Sequence, residues 1–293
     1  SPEHRRYAVA VTPRSADKAS QVEIAWRGAP ENSVGGLYRS GAGAFSGRAY
    51  QIADDGSGID NLPITHWSTK SLSSTWTTEA SQPVVDSALE NMGTGQLRGR
   101  LTLHLDEPLV DCMLVANGWA YIPTTTDATL KPGVEWQLTG GRSVLQRELK
   151  ALLTGEKQTR RKREDRTGPE KIEITTSIEN YQPLGRNRSQ QVPILTFHQA
   201  AGGSAYTGLS NAALRNLELT DLMQLGRAIL IGRKATSPAQ VTIDGQPATP
   251  TTESTWVRLV LPVVSRERAP EKYIPKEIDP RVQVDPKAGG SRD

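Results

Sequence analysis

Between positions 104 and 112 stand His104, Asp106, Asp111 and Cys112, the tightest grouping of nucleophile, base and metal-ligand side chains in the chain. A cysteine nucleophile needs a partner that lowers its thiol pKa and a site open to substrate. Cys112 instead heads the run Cys112-Met113-Leu114-Val115, which reads as a buried strand. If Asp111 faces outward there, Cys112 faces inward, as a core cysteine. The four histidines (His4, His66, His104 and His198) form no i, i+4 pair and no zinc-ligand spacing.

Ser15-Ala16-Asp17-Lys18 has the Ser-x-x-Lys spacing of an acylating serine, but the accompanying Ser-Asp-Asn and Lys-Thr-Gly elements are missing. A surface turn after Pro13 accounts for it. Asp54, Asp55 and Asp60 share a loop with Gly56 and Gly58, and calcium draws oxygen ligands from such loops. The EF-hand spacing and its closing Glu are absent, so a plain Asp/Gly turn is the simpler reading. Trp67 and Trp76 lie in polar, Ser/Thr-rich sequence, as sugar-stacking platforms do; a tryptophan packed in a sandwich core is the alternative. Arg160-Arg161-Lys162-Arg163 could meet phosphates, yet no aromatic residues interleave to stack bases and Glu164 and Asp165 dilute the field, so a solvated linker is the simpler reading, with an anionic membrane surface the better of the alternative contacts. No phosphate loop, nucleophile elbow or dinucleotide fingerprint occurs. We assign no catalytic residue, cofactor or metal.

Composition sets the frame for these residues. A chain of 293 residues is about two domains' worth, each large enough for its own core. Mean hydropathy is -0.49, and no apolar run approaches the roughly 20 residues of a membrane-spanning helix. With 26 Gly and 19 Pro the chain is rich in turns. The net charge of +3 is local. Residues 155–171 carry seven basic side chains (Lys157, Arg160, Arg161, Lys162, Arg163, Arg166 and Lys171) against four acidic ones (Glu156, Glu164, Asp165 and Glu170), which equals the whole excess. The single cysteine excludes an intrachain disulfide. The chain opens Ser1-Pro2-Glu3 without Met, as expected of a cut piece of a longer chain or of a processed product from which a leader or membrane anchor has been removed.

Period-2 alternation is the main structural signal. It marks strands at 7–12, at Val22, Ile24 and Trp26, at Leu72, Ser74 and Trp76, and most clearly at Leu97, Leu101, Leu103 and Leu105. Residues 28–63 read as long loops with short strands such as 47–52. Asn117-Gly118 is a hairpin turn between apolar runs. Residues 142–154 suggest an amphipathic helix through Val144, Leu145, Leu149 and Leu152 or Leu153. Strands are expected at 171–178, 228–233, 241–243 and 255–264, a further apolar run at 192–198, and a helix over 211–225. The expected fold is mainly β with a few short helices, α+β overall, in two β-sandwich-like halves. Residues 1–154 would form the first, 155–170 a charged linker, 171–265 a smaller α+β domain, and 266–293 an extended tail.

The stretch 96–138 carries a resemblance. Gly99-x-Leu101-x-x-x-Leu105, Pro108-Leu109-x-Asp111-Cys112-x-Leu114-Val115, Gly118-x-Ala120-Tyr121 and Leu130-x-Pro132-Gly133 together resemble immunoglobulin-like sandwich modules of bacterial envelope proteins. The resemblance implies an adhesive or scaffolding module outside the cytoplasm and brings no active site with it. The expected role is therefore that of a non-enzymatic, extracytoplasmic domain (periplasmic or surface) of a membrane-anchored envelope protein, with a protein partner in the envelope and the membrane nearby. A carbohydrate-binding module built on Trp67 and Trp76, or an enzyme of unrecognised type, are the alternatives.

Overall fold

A computed structural model describes residues 5–13, 21–23, 51–53, 58–64, 75–77, 82–92, 95–139, 142–163, 171–183, 185, 187–210, 214, 217–250 and 252–265. Among them the strands run β1 (Arg5–Pro13), β2 (Gln21–Glu23), β3 (Gln51–Ile52), β4 (Gly58–Ile64), β5 (Thr75–Thr77), β6 (Val85–Asn91), β7 (Leu97–Leu103), β8 (Val110–Ala116) and β9 (Trp119–Pro123). They continue with β10 (Glu135–Gln137), β11 (Val144–Glu148), β12 (Lys157–Arg163), β13 (Lys171–Ser177), β14 (Arg227–Lys234), β15 (Ala239–Ile243), β16 (Gln246–Pro247), β17 (Thr255–Pro262) and β18 (Val264–Ser265). The α-helices are short: α1 (Leu149–Thr154), α2 (Arg188–Thr196), α3 (Gly203–Thr207) and α4 (Thr220–Gln224). The fold is mainly β with a few short helices, as expected.

The centre is a five-stranded sheet in the order β11-β9-β8-β14-β17. Both of its faces are buried, which is why β8 and β14 read as continuous apolar runs rather than alternating ones. On one face Cys112, Leu114, Ala116, Tyr121, Ala228, Leu230 and Leu261 pack against Leu89, Leu97, Leu101, Leu103 and Trp136 of a four-stranded sheet, β10-β7-β6-β18. The alternation along β7 fits this: Leu97, Leu101 and Leu103 are buried and Arg98 and Arg100 exposed. The Tyr121 hydroxyl crosses the layer and accepts the Leu97 amide at 2.7 Å. On the other face Met113, Val115, Ala120, Ile229 and Ile231 are covered by Leu149 and Leu153 of α1, Ile194 of α2, Phe197 and Met223. The result is three layers: sheet, sheet and helices.

A further sheet, β16-β15-β1-β4-β3, holds a small core of Val9, Ile59 and Leu62. Strand β4 occupies part of the stretch expected to be loop. The Asn117-Gly118 turn has positive φ at both residues, 49° and 77°, the type I′ geometry that matches strand twist.

Three expectations are corrected. The chain is not laid out as two halves about a linker: Ile229, Leu230 and Ile231 of β14 pair with Val115, Leu114 and Met113 of β8, and β15 pairs with β1. Strands from both sides of 155–170 thus complete the same sheets. That segment is itself not an open linker, because residues 157–163 pair antiparallel with residues 171–177 in a two-stranded ribbon. The helix expected over 142–154 is confined to 149–154. Residues 144–148 are drawn into β11, where main-chain pairing to β9 (Val144↔Pro123 through Glu148↔Trp119) outweighs the helical stripe. Conversely the apolar run at 192–198 is largely helical in α2, whose start is capped by Asn187 accepting the Gln190 amide at 3.3 Å. Within the expected 211–225 helix, the α-helical residues among those described are 220–224.

Candidate functional site

The sequence-selected groups do not converge. His104 lies on the surface, its Nε2 2.7 Å from Asp86 Oδ2. Asp106 reaches Lys234 Nζ at 3.2 Å, and Glu107 meets the same ammonium at 3.0 Å and the Thr236 hydroxyl. The hydrogen bonds from Thr236 and then Lys234 hold the Glu107 carboxyl below the usual carboxylate range. Asp60 is exposed on β4 opposite Gln51, while Asp54 and Asp55 lie outside the described residues, as do Trp67, His4, His66 and the Ser15–Lys18 motif. Trp76 is half-buried in β5, paired with Val22. No cluster of three or more His, Cys, Asp or Glu with metal-binding geometry occurs among the described residues. His198 is buried; Thr207 Oγ1 donates to Gly203 O and accepts the Leu209 amide, so His198 Nε2 donates to it at 2.7 Å. It holds a turn together.

Cys112 is buried at 1% exposure and its Sγ donates to Leu109 O at 3.3 Å. Burial, reinforced by the Asp111 charge, pushes the thiol from 9.0 up to about 12. At pH 8 that leaves roughly a thousandfold less thiolate than an open cysteine would carry. Iodoacetamide at pH 8 is therefore expected to leave the folded protein unmodified and to alkylate one site in urea; mass spectrometry reads the difference. The unfolded thiol ionises near 9.0 and the folded one at about 12, so this contribution to stability is full below pH 9 and lost as pH rises from 9 toward 12. The Cys112→Ala variant should show a flatter decline over that range.

Asp111 has a different role, and nothing in its sequence context announces it. It adopts φ 53° at a bulge where the β8–β14 register shifts between Ile231 and Arg233. The bulge turns its carboxylate toward α2, where Oδ2 accepts from Ser189 Oγ at 2.8 Å and from Arg233 Nε at 2.9 Å. No described residue donates to Oδ1. Asp111 thus stands as the anion at the N-terminal end of α2, the end that favours negative charge. Beside it opens a cavity of about 280 Å³. Its apolar lining is Cys112 and Met113 from β8, Ile122 from β9 and Ala128, together with Leu152 and Leu153 from α1 and Pro193 from α2. Its polar rim is Asp111, Ser189 and Gln190.

No protein-family model, curated protein or solved structure matches this chain.

The second feature is the β12–β13 ribbon. Its register sets Arg160 opposite Ile174 and Lys162 opposite Ile172, with Arg161 opposite Glu173 and Arg163 opposite Lys171. At its base Lys157 pairs with Glu179 at 3.0 Å and the Glu179 amide bonds Thr154 O. Ile174 and Ile178 are 55% and 50% exposed.

Proposed function

We propose that this chain is a non-enzymatic, extracytoplasmic scaffolding domain of a membrane-anchored bacterial envelope protein, and that the β12–β13 ribbon is its contact surface. The observation that carries the reading is the pairing of charge with exposed apolar surface. Six of the seven basic residues of the segment that holds the positive excess of the chain (Lys157, Arg160, Arg161, Lys162, Arg163 and Lys171) lie on the paired strands of the ribbon, with the exposed Ile174 and Ile178 beside them. Lysine and arginine near an anionic lipid surface contribute about 1 kcal/mol each, and exposed apolar side chains favour the interface. The resemblance of residues 96–138 to immunoglobulin-like modules supports a scaffolding role.

Vesicles containing phosphatidylglycerol are expected to co-sediment the protein at low salt and release it at high salt. Ile174→Glu, or replacement of residues 158–176 by a Gly/Ser loop, should abolish co-sedimentation. Equal binding to neutral vesicles, or retention after the ribbon is replaced, would reject the contact surface. Compartment is tested separately. Because Cys112 is unreactive, Glu253→Cys provides one labelled position in intact cells, and labelling confined to lysed cells would reject the extracytoplasmic reading.

A further inference from the structure

We propose that the cavity beside Asp111 is a binding site for a small linear amphiphile, with its aliphatic chain in the cavity and a hydrogen-bond-donating, non-anionic head at the rim. An alkylammonium is the simplest such ligand. Three observations combine. The cavity of about 280 Å³ lies just under the roughly 300 Å³ at which small-molecule sites begin, so it suits a small ligand such as a short aliphatic chain. Its walls, Met113, Ile122, Leu152, Leu153 and Pro193, offer no polar side chain. Its polar lining is Asp111, Ser189 and Gln190, of which Ser189 and Asp111 are hydrogen-bonded to each other and Gln190 follows Ser189 in the chain, so the polar groups lie together as a head-and-tail ligand requires.

The head chemistry follows from Asp111. Its Oδ2 already takes both protein donors, from Ser189 and Arg233, while Oδ1 receives none among the described residues. A ligand donor therefore finds a fixed, preoriented acceptor at Oδ1, and Gln190 adds an amide at the same rim. A carboxylate head would instead set acceptor against acceptor at Oδ1, since Asp111 already pairs with Arg233 through Oδ2 and occupies the anion position at the start of α2. The left-handed backbone of Asp111 makes this placement specific, because an extended residue there would direct its side chain elsewhere.

The test is calorimetric titration of the folded protein with n-alkylamines from butyl to decyl, n-octanol and n-octanoate. Affinity for the amines should tighten about fourfold per methylene and then level off once the cavity is filled. Octanoate should bind at least tenfold more weakly than octylamine. Leu152→Trp, which fills the cavity from α1, should remove saturable binding while the chain still unfolds cooperatively. Asp111→Asn keeps a residue that tolerates the left-handed backbone and should erase the preference of amine over carboxylate. The site is refuted if octanoate matches octylamine on the native protein, if affinity climbs with chain length without levelling, or if Leu152→Trp binds as the native chain does. None of these outcomes touches the ribbon.

Discussion

Alanine at Gly99 is expected to cost about 3–5 kcal/mol of stability, in the range that signals backbone disruption rather than lost packing. Gly99 sits in β7 opposite Leu89, with φ +131°, a conformation that side-chain-bearing residues rarely adopt. An added Cβ would stand 1.9 Å from the Ala88 carbonyl oxygen and 2.9 Å from its carbon. Both are main-chain atoms, so no rotamer change relieves the overlap and the β6–β7 ladder must part. The Gly99 carbonyl also accepts the Leu138 amide at 2.9 Å, so β10 is disturbed with it. Urea unfolding followed by the buried Trp136 reads the effect. Gly95 is the control: it too has positive φ (79°), but an added Cβ meets nothing within 4 Å. Gly95→Ala should cost about 1 kcal/mol. Similar losses at both positions would show that crowding at Gly99 is not what decides.

The second large effect concerns the division of the chain. A fragment ending at Arg163 is expected to show no cooperative unfolding by itself, and to recover it when mixed with a fragment of residues 171–265. The first fragment contains β8 but lacks β14, the strand that pairs with it, and α2, which covers the opposite face. The missing segment supplies the fully buried Ile194, Phe197, Ile229, Leu230 and Ile231 and the nearly buried Leu261. Burying each such side chain stabilises by about 1.5–3 kcal/mol, so the loss is of the order of 10 kcal/mol, comparable with the whole stability of a typical domain. Circular dichroism and fluorescence melts of the two fragments, apart and mixed, decide the matter. A sharp transition in the first fragment alone would restore the expected boundary at 155–170.

What could be read from sequence follows a physical rule. β7 is legible because one face is buried and the other wet, so Leu97, Leu101 and Leu103 stand out against Arg98 and Arg100. The Asn117-Gly118 turn is legible because its left-handed backbone selects those residues. β8 and β14 are legible as strands but not as neighbours, since an apolar run states only that both of its faces are covered. At 144–154 a helical stripe and a strand are both written into the same residues, and the need of β9 for a main-chain partner decides between them. Of the ribbon, β13 is legible as the strand expected at 171–178, but β12 is not, because it is held through main-chain bonds to β13 while its own side chains spell a solvated charge run. Cys112 is correctly placed by its apolar neighbours. Asp111 is not, because its role depends on a bulge and on Ser189 and Arg233, residues distant in the chain.

The β8–β14 pairing also has a consequence in time. Val115 meets its partner Ile229 only after roughly 110 further residues have been made, which at the usual 5–20 residues per second is about 6–22 s. Throughout that interval the nascent chain displays Val110–Ala116 as an unpaired strand edge, hydrophobic on both sides and able to add to a neighbouring copy. Yield in a cell is thus set by how quickly the ribosome delivers β14, and synonymous codons that slow translation between 117 and 234 should raise the aggregated fraction without altering the folded product.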